Sequence, residues 1–124
     1  MSYPSTDQSM TITREHPAAD TALLRVAGEV DMLTSPDLRE AITGQLSSSL
    51  RRLIIDLDGV EFLGTSGLAA LVETRTQAQA NSVELWLVCS NRNVLRPLQI
   101  AGLVSLFRIA DSVSATISDA GSSG

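Results

Sequence analysis

The residues best suited to chemistry lie together in DGVEFLGTSGLAALVE, residues 58–73. Two hydroxyls, Thr65 and Ser66, stand between Gly64 and Gly67 at what reads as a helix entrance. Four chemistries suit that arrangement. A nucleophilic serine is the first. Leu68 stands where a nucleophile elbow needs its second glycine, and the one histidine, His16, precedes the serine, the reverse of hydrolase order. No base is therefore placed to activate Ser66. A phosphate cradle is the second, because a glycine-flanked helix start presents bare N–H groups to an anion. The spacing matches neither glycine-rich fingerprint, and the chain has no lysine. The third is a cap, in which Thr65 or Ser66 accepts a bond from an orphan N–H and contributes about 1 kcal/mol. The fourth is a phosphate acceptor. Small neighbours leave the hydroxyl reachable, and the positive end of the helix dipole tolerates a phosphate. No cation occurs from residue 53 to 74, whereas Asp56, Asp58, Glu61 and Glu73 do. A phosphate here would deepen an acidic surface and repel a partner fitted to it.

Composition narrows the classes further. Aromatic residues are 3% of the chain, too few for base-stacking platforms, and a formal charge of −5 disfavours nucleic acid. A basic patch on another protein is the better match. One cysteine and one histidine cannot build a Cys/His metal site or an internal disulfide. Cys89, within LWLVC, reads as a buried, inert thiol. All nine cations are arginines, which excludes a Schiff-base lysine. With no apolar run near ~18 residues and no signal pattern, the expectation is a soluble, cytoplasmic protein without membrane contact. No cofactor or metal is expected.

The elements that must position these residues follow from periodicity. Residues 1–9 read as a loose tail. MTITRE (10–15) and TALLRVAG (21–28) alternate as paired strands, with 16–20 as their turn and EVD (29–31) as a short extension. Ser35 and Pro36 read as N-cap and first residue of a helix carrying Leu38, Ala41, Ile42 and Leu46. LIIDL (53–57) reads as a central strand covered on both faces. A helix over 65–80 follows, with Leu68, Leu71, Val72 and Arg75 on one face and Glu73, Thr74 and Gln77 turned outward. VELWLVC (83–89) is a strand. Asn91 or Asn93 caps a helix to Ala101 with Val94, Leu98 and Ala101 inward, Pro97 as an irregularity, and Gly102 ending it. LFRI (106–109) is a last strand, and Asp111 caps a helix to about Ala120, followed by a tail over 121–124. A hairpin followed by alternating helix and strand predicts one α/β domain over 10–120 with a mixed, mostly parallel sheet.

Three blocks resemble the STAS domain family in its stand-alone form, the anti-sigma factor antagonist. They are LLRVAGEVDMLTSPDLREAI (23–42), LIIDLDGVEFLGTSGLAALVE (53–73) and, more weakly, NVLRPLQIAGLVSLFRI (93–109). The middle block is the specific one. The resemblance implies a non-enzymatic regulator that binds an anti-sigma factor, often itself a Ser/Thr protein kinase, and so frees a sigma factor. It further implies that the kinase phosphorylates the first hydroxyl of an Asp-Ser-Ser-Gly motif, that this releases the complex, and that a phosphatase restores it. On this chain the acceptor falls on Thr65, with Ser66 as second choice, and Gly64 stands where the family carries Asp. In parallel sheets functional loops gather at the carboxyl ends of strands. Asp31 follows one strand and 58–67 another, so Asp31, Asp58, Gly64, Thr65, Ser66 and Gly67 are expected to share one partner-binding face, acidic in character. Asp31 could equally serve only to turn the chain. The alternative function is a ligand-sensing STAS module that binds a nucleotide or lipid near the same helix.

Overall fold

A computed structural model describes residues 10–122 of the chain. The expected tails at 1–9 and 123–124 lie outside the described residues. The elements in order are β1 (Met10–Ala18), β2 (Thr21–Val30), α1 (Ser35–Gln45), β3 (Arg52–Leu63), α2 (Thr65–Ala80), β4 (Glu84–Val88), α3 (Arg92–Ile100), a 3-10 turn (Val104–Leu106), β5 (Arg108–Ala110) and α4 (Val113–Ser122). Gly121 and Ser122, expected in the tail, thus belong to the last helix. The five strands form one sheet in sequential order, β1 antiparallel to β2 and every other pair parallel.

Sequential order has a geometric consequence. Right-handed crossovers that always step the same way put their helices on the same face of the sheet. The main core obeys this. It joins Ala22, Leu24 and Val26 of β2 and Leu53, Ile55 and Leu57 of β3 to Leu38 and Ile42 of α1, Ala70 and Leu71 of α2, and Val94 and Leu98 of α3. The alternate residues Leu23, Ile54 and Val88 form a smaller cluster on the other face, with Trp86 and Val113 packed against it. Both faces of 53–57 are therefore covered, as the apolar run predicts. Arg52 ties the second layer down, its Nη1 donating to the Thr116 carbonyl at 2.8 Å while its Nη2 pairs with Glu84 at 2.6 Å.

The chief departure from the sequence reading is the length of β3. It continues through Leu63, so residues 58–63 are strand and not loop. β4 pairs with β3 only as far as Asp56, and the remainder of β3 is held by β2, through pairs from Ala27–Gly59 to Val30–Leu63. Two register shifts in this stretch each place an extra residue on β3, as bulges do. At the first, β3 comes so close that a Cβ on Gly59 would stand 2.8 Å from the Ala27 Cβ.

Smaller differences follow, and those at Ser35, Thr74 and Ser112 come from local polar bonding. β1 runs on to Ala18, so His16 is in a strand whose register shifts between Glu15 and Ala18. Ser35 is the first helical residue, not the cap. Its buried hydroxyl donates to the Asp31 carbonyl at 2.6 Å. Thr74 is buried, because its hydroxyl donates to the Ala70 carbonyl at 2.8 Å and needs no water. Asn91 is the cap of α3, accepting from the Val94 N–H at 3.2 Å. Pro97 interrupts nothing beyond its own missing donor, and the helix continues to Ile100 with Ala101 exposed. Gly102, at φ +72°, ends it as expected, with its N–H on the Gln99 carbonyl and that of Leu103 on the Leu98 carbonyl. β5 begins at Arg108 after a 3-10 turn, and Ser112, not Asp111, caps α4 by accepting from the Ala115 N–H at 3.1 Å.

Candidate functional site

The ends of β2 and β3 converge on the start of α2. The Gly64 N–H donates to the Val30 carbonyl at 2.9 Å, which closes the strand pair and turns the chain into the helix. Gly64 is the N-cap residue, extended at φ −87° and ψ 179°. Thr65 is the first helical residue and is exposed, Ser66 is half-buried, and Gly67 is buried. The expected cap by Thr65 or Ser66 is absent: no side chain caps this helix, and neither hydroxyl bonds to another group among the described residues. The first N–H with a helical partner is that of Leu68, on the Gly64 carbonyl at 3.0 Å. The N–H groups of Thr65, Ser66 and Gly67 have no backbone partner among the described residues and stand at the positive end of the dipole.

Gly67 has a packing reason that its own neighbourhood in sequence does not show. A Cβ there would stand 2.6 Å from Leu63 Cδ1 and 2.7 Å from Val30 Cγ1. Only a glycine lets the first turn of α2 seat against the ends of β2 and β3. Gly64 is a different case. Its backbone angles suit any residue, but a Cβ would lie 3.1 Å from Cε2 of Phe62, whose ring leans over it.

Asp31 comes next to this junction, one residue beyond the Val30–Leu63 pair. Its Oδ1 accepts from the Leu33 N–H at 2.9 Å and the Thr34 N–H at 3.1 Å. Thr34 Oγ1 also donates to the Glu29 carbonyl at 2.9 Å and receives the Asp31 N–H. Asp31 therefore turns the chain, and the turn it builds holds Met32 and Leu33 outward at 76% and 82% exposure.

Asp58 does not join them. It lies six residues before Gly64 along β3, about 20 Å at the rise of a strand. Its Oδ1 accepts from the Ser90 N–H at 2.7 Å and the Ser90 hydroxyl, while Asn91 Nδ2 donates to its carbonyl at 3.0 Å. It pins the β4–α3 connection. The structure thus brings together Asp31, Gly64, Thr65, Ser66 and Gly67, and leaves Asp58 apart. The gathered face is also less acidic than the sequence suggests. Met32, Leu33 and Phe62 give it an apolar character, and Glu73 is engaged by Arg39 of α1 at 2.9 and 3.1 Å. A readable signal for Met32 and Leu33 existed: two large apolar residues in a strand-to-helix turn, where polar residues are usual.

His16 sits beside the start of β2, the end of the sheet away from Thr65. Cys89 is buried, and burial, then the charges of Asp58 and Asp56, push its thiol up to about 11. Among the described residues no group of three His, Cys, Asp or Glu side chains could hold a metal, and no helix is long and apolar enough to cross a membrane.

The family model of the STAS domain matches residues 11–116. The chain belongs to the STAS domain family. Among relatives, this STAS domain is 35% identical over 106 residues to the anti-sigma-F factor antagonist RsfB of Mycobacterium tuberculosis, with 85% of the chain and 84% of the relative covered. A crystal structure of an anti-sigma factor antagonist from Mycobacterium paratuberculosis superposes with a TM-score of 0.81 at 29% identity, covering 96% of this chain and 97% of that one. The unphosphorylated form of the antagonist SpoIIAA shares the fold, with a TM-score of 0.75 at 19% identity, covering 90% and 97% of the two chains.

Proposed function

We propose that this STAS domain is a non-enzymatic anti-sigma factor antagonist whose docking face is the junction of β2, β3 and α2. Thr65 is its switch. The observation that carries this reading is the Thr65 side chain: exposed, unbonded among the described residues, and first in a helix whose leading N–H groups are free. Kinship with proteins named as antagonists of anti-sigma factors supports the partner class. Met32, Leu33 and Phe62 supply the apolar contact area beside the hydroxyl, and Asp31 supports the loop that presents two of them.

The switch chemistry belongs to the partner, an anti-sigma factor that is also a Ser/Thr kinase. Thr65 Oγ1 attacks the γ-phosphorus of ATP held by that partner. The bond from this phosphorus to the β–γ bridging oxygen breaks, ADP departs, and the hydroxyl proton passes to a base of the kinase. The product carries nearly two negative charges at neutral pH. The leading N–H groups and dipole of α2 stabilise that charge, so the fold survives while the docking face changes sign and bulk. A phosphatase reverses the change. Ser66 is the second candidate, and its half-buried position makes it the poorer acceptor.

The test is binding to a purified anti-sigma kinase without ATP. Thr65→Ala should retain the complex, and Thr65→Glu should weaken it at least tenfold. With ATP, phosphate should map to Thr65. Equal binding by both variants would remove the switch and leave the antagonist role standing.

A further inference from the structure

The pairing of β4 with β3 stops at Asp56, so among the described residues no strand lies along that edge of β3 over residues 57–63. The helix α3 packs there instead, its start tied to the strand by Asn91 Nδ2, which donates to the Asp58 carbonyl at 3.0 Å. Val94 and Leu98 turn into the core. Asn93, Pro97 and Ile100, at i, i+4 and i+7, form the neighbouring flank of the helix. Between that flank and the end of β3 runs an open groove of about 260 Å³. Phe62, Pro97 and Ile100 give it an apolar lining. Ile100 is 76% exposed in the last turn of α3, and Phe62 is exposed across from it. Phe62, whose ring leans over Gly64, lines both the groove and the proposed docking face, so the two surfaces are continuous. With Met32 and Leu33 they make one exposed apolar tract, the kind of surface that marks a contact site. The helix side of the groove carries Arg92 and Arg96, one turn apart and both exposed, and no acid. Arg25, Arg39 and Arg52 pair with carboxylates, whereas Arg92 and Arg96 pair with none among the described residues. The strand side carries the one acid of the lining, Glu61.

We propose that the anti-sigma partner reaches past Thr65 into this groove, seating an apolar side chain between Phe62 and Ile100 and laying carboxylates over the Arg92–Arg96 side of α3. This rests on the docking reading above and extends it by a second contact. The occupant is an acidic segment of the partner with one apolar anchor. The anchor supplies affinity, because a large side chain buried at the centre of a contact carries more of the binding energy than its rim does. The arginines supply orientation and speed of association. They offer the only cationic wall of the groove, and Glu61 on the facing wall repels a carboxylate placed there, so the segment has one favoured direction. In a chain of net charge −5, this local reversal of sign separates an acidic segment here from one landing elsewhere.

The test is calorimetric titration of the full chain into a purified anti-sigma kinase without ATP. Ile100→Ser should weaken binding at least tenfold. Arg96→Glu should weaken it at least tenfold at low salt and by less at high salt, where the pairing is screened. Ile117→Ser and Arg51→Glu make the same chemical changes at exposed positions away from the groove, and should alter affinity less than twofold. The urea midpoints of all four should match that of the unsubstituted chain, since each side chain is exposed. With methyl-labelled chain, the Ile100 δ1-methyl resonance should shift on complex formation and that of Ile117 should not. If Met32→Ser with Leu33→Ser weakens binding while Ile100→Ser or Arg96→Glu binds like the unsubstituted chain, the groove proposal is overturned and the docking face stands. If the Met32 and Leu33 changes have no effect either, the docking face is misplaced and the groove falls with it. Self-association of the free chain that Ile100→Ser abolishes would assign the groove to a second copy and overturn the proposal too.

Discussion

Gly67→Ala isolates the contact that seats the first turn of α2, and with it the proposed docking face, on the ends of β2 and β3. The added methyl would sit 2.6 Å from Leu63 Cδ1, 2.7 Å from Val30 Cγ1 and 3.3 Å from Val30 Cβ. Carbon atoms in contact prefer about 3.5–4.0 Å, so roughly 1 Å must be found. Leu63 can yield part of it by changing rotamer. Val30 cannot: it is fully buried, β-branched and stiff about χ1. The first turn of α2 must therefore lift. Overpacking of this kind costs about 1–3 kcal/mol, and the gain in helix propensity returns up to ~1 kcal/mol. The expected net loss is about 1–2 kcal/mol. With a urea m-value of about 1.5 kcal/mol/M, within the usual range, the midpoint should fall by roughly 1 M with m unchanged.

The control is Gly44→Ala near the end of α1, where an added Cβ meets nothing within 4 Å. It should be neutral or stabilising by up to ~1 kcal/mol. Urea denaturation followed by circular dichroism measures both. If Gly67→Ala matches Gly44→Ala, the first turn is not held by Val30, and the account of why a glycine follows the two hydroxyls is wrong. If it destabilises as calculated, partner affinity at a temperature where the variant is folded should also drop below that of Thr65→Ala, because lifting the turn displaces the proposed docking face as a whole.

Three further outcomes are expected. Met32→Ser with Leu33→Ser should leave stability within about 0.5 kcal/mol, since both side chains are exposed, but cost about 1–3 kcal/mol in binding to an anti-sigma partner by calorimetry. Gly64→Asp should be tolerated within about 1 kcal/mol in urea titrations, because the N-cap angles suit Asp and the Phe62 ring in its way is 52% exposed and free to swing. Cys89, with its thiol pushed up to about 11 from 9.0, should resist thiol reagents at pH 8 until the chain unfolds. The raised value also sets a pH dependence: the unfolded thiol ionises near 9 and the folded one near 11, so its contribution is complete below pH 9 and is lost between pH 9 and 11. Cys89→Ala should flatten that part of a stability profile.

The order of elements was legible because each announces itself locally. Alternation marks β1 and β2, LIIDL marks the centre of β3, and Pro36, Asn91 and Gly102 mark helix ends. Residues 58–63 were not legible. DGVEF carries turn chemistry, and what makes it strand is pairing with residues 27–30 of β2 across two register shifts, a partnership no local pattern encodes. That extension decides the site. It carries Thr65 about 20 Å along the strand direction from Asp58, and it sets Phe62 against Gly64. The two glycines around the hydroxyls, alike in the sequence, then part company. Gly67 is glycine because the strand ends leave no room beneath it. Gly64 has room for any residue once one exposed ring moves. Of the two glycines, Gly64 is thus the one on which the fold imposes less, and the two hydroxyls between them are supported by the side that cannot change.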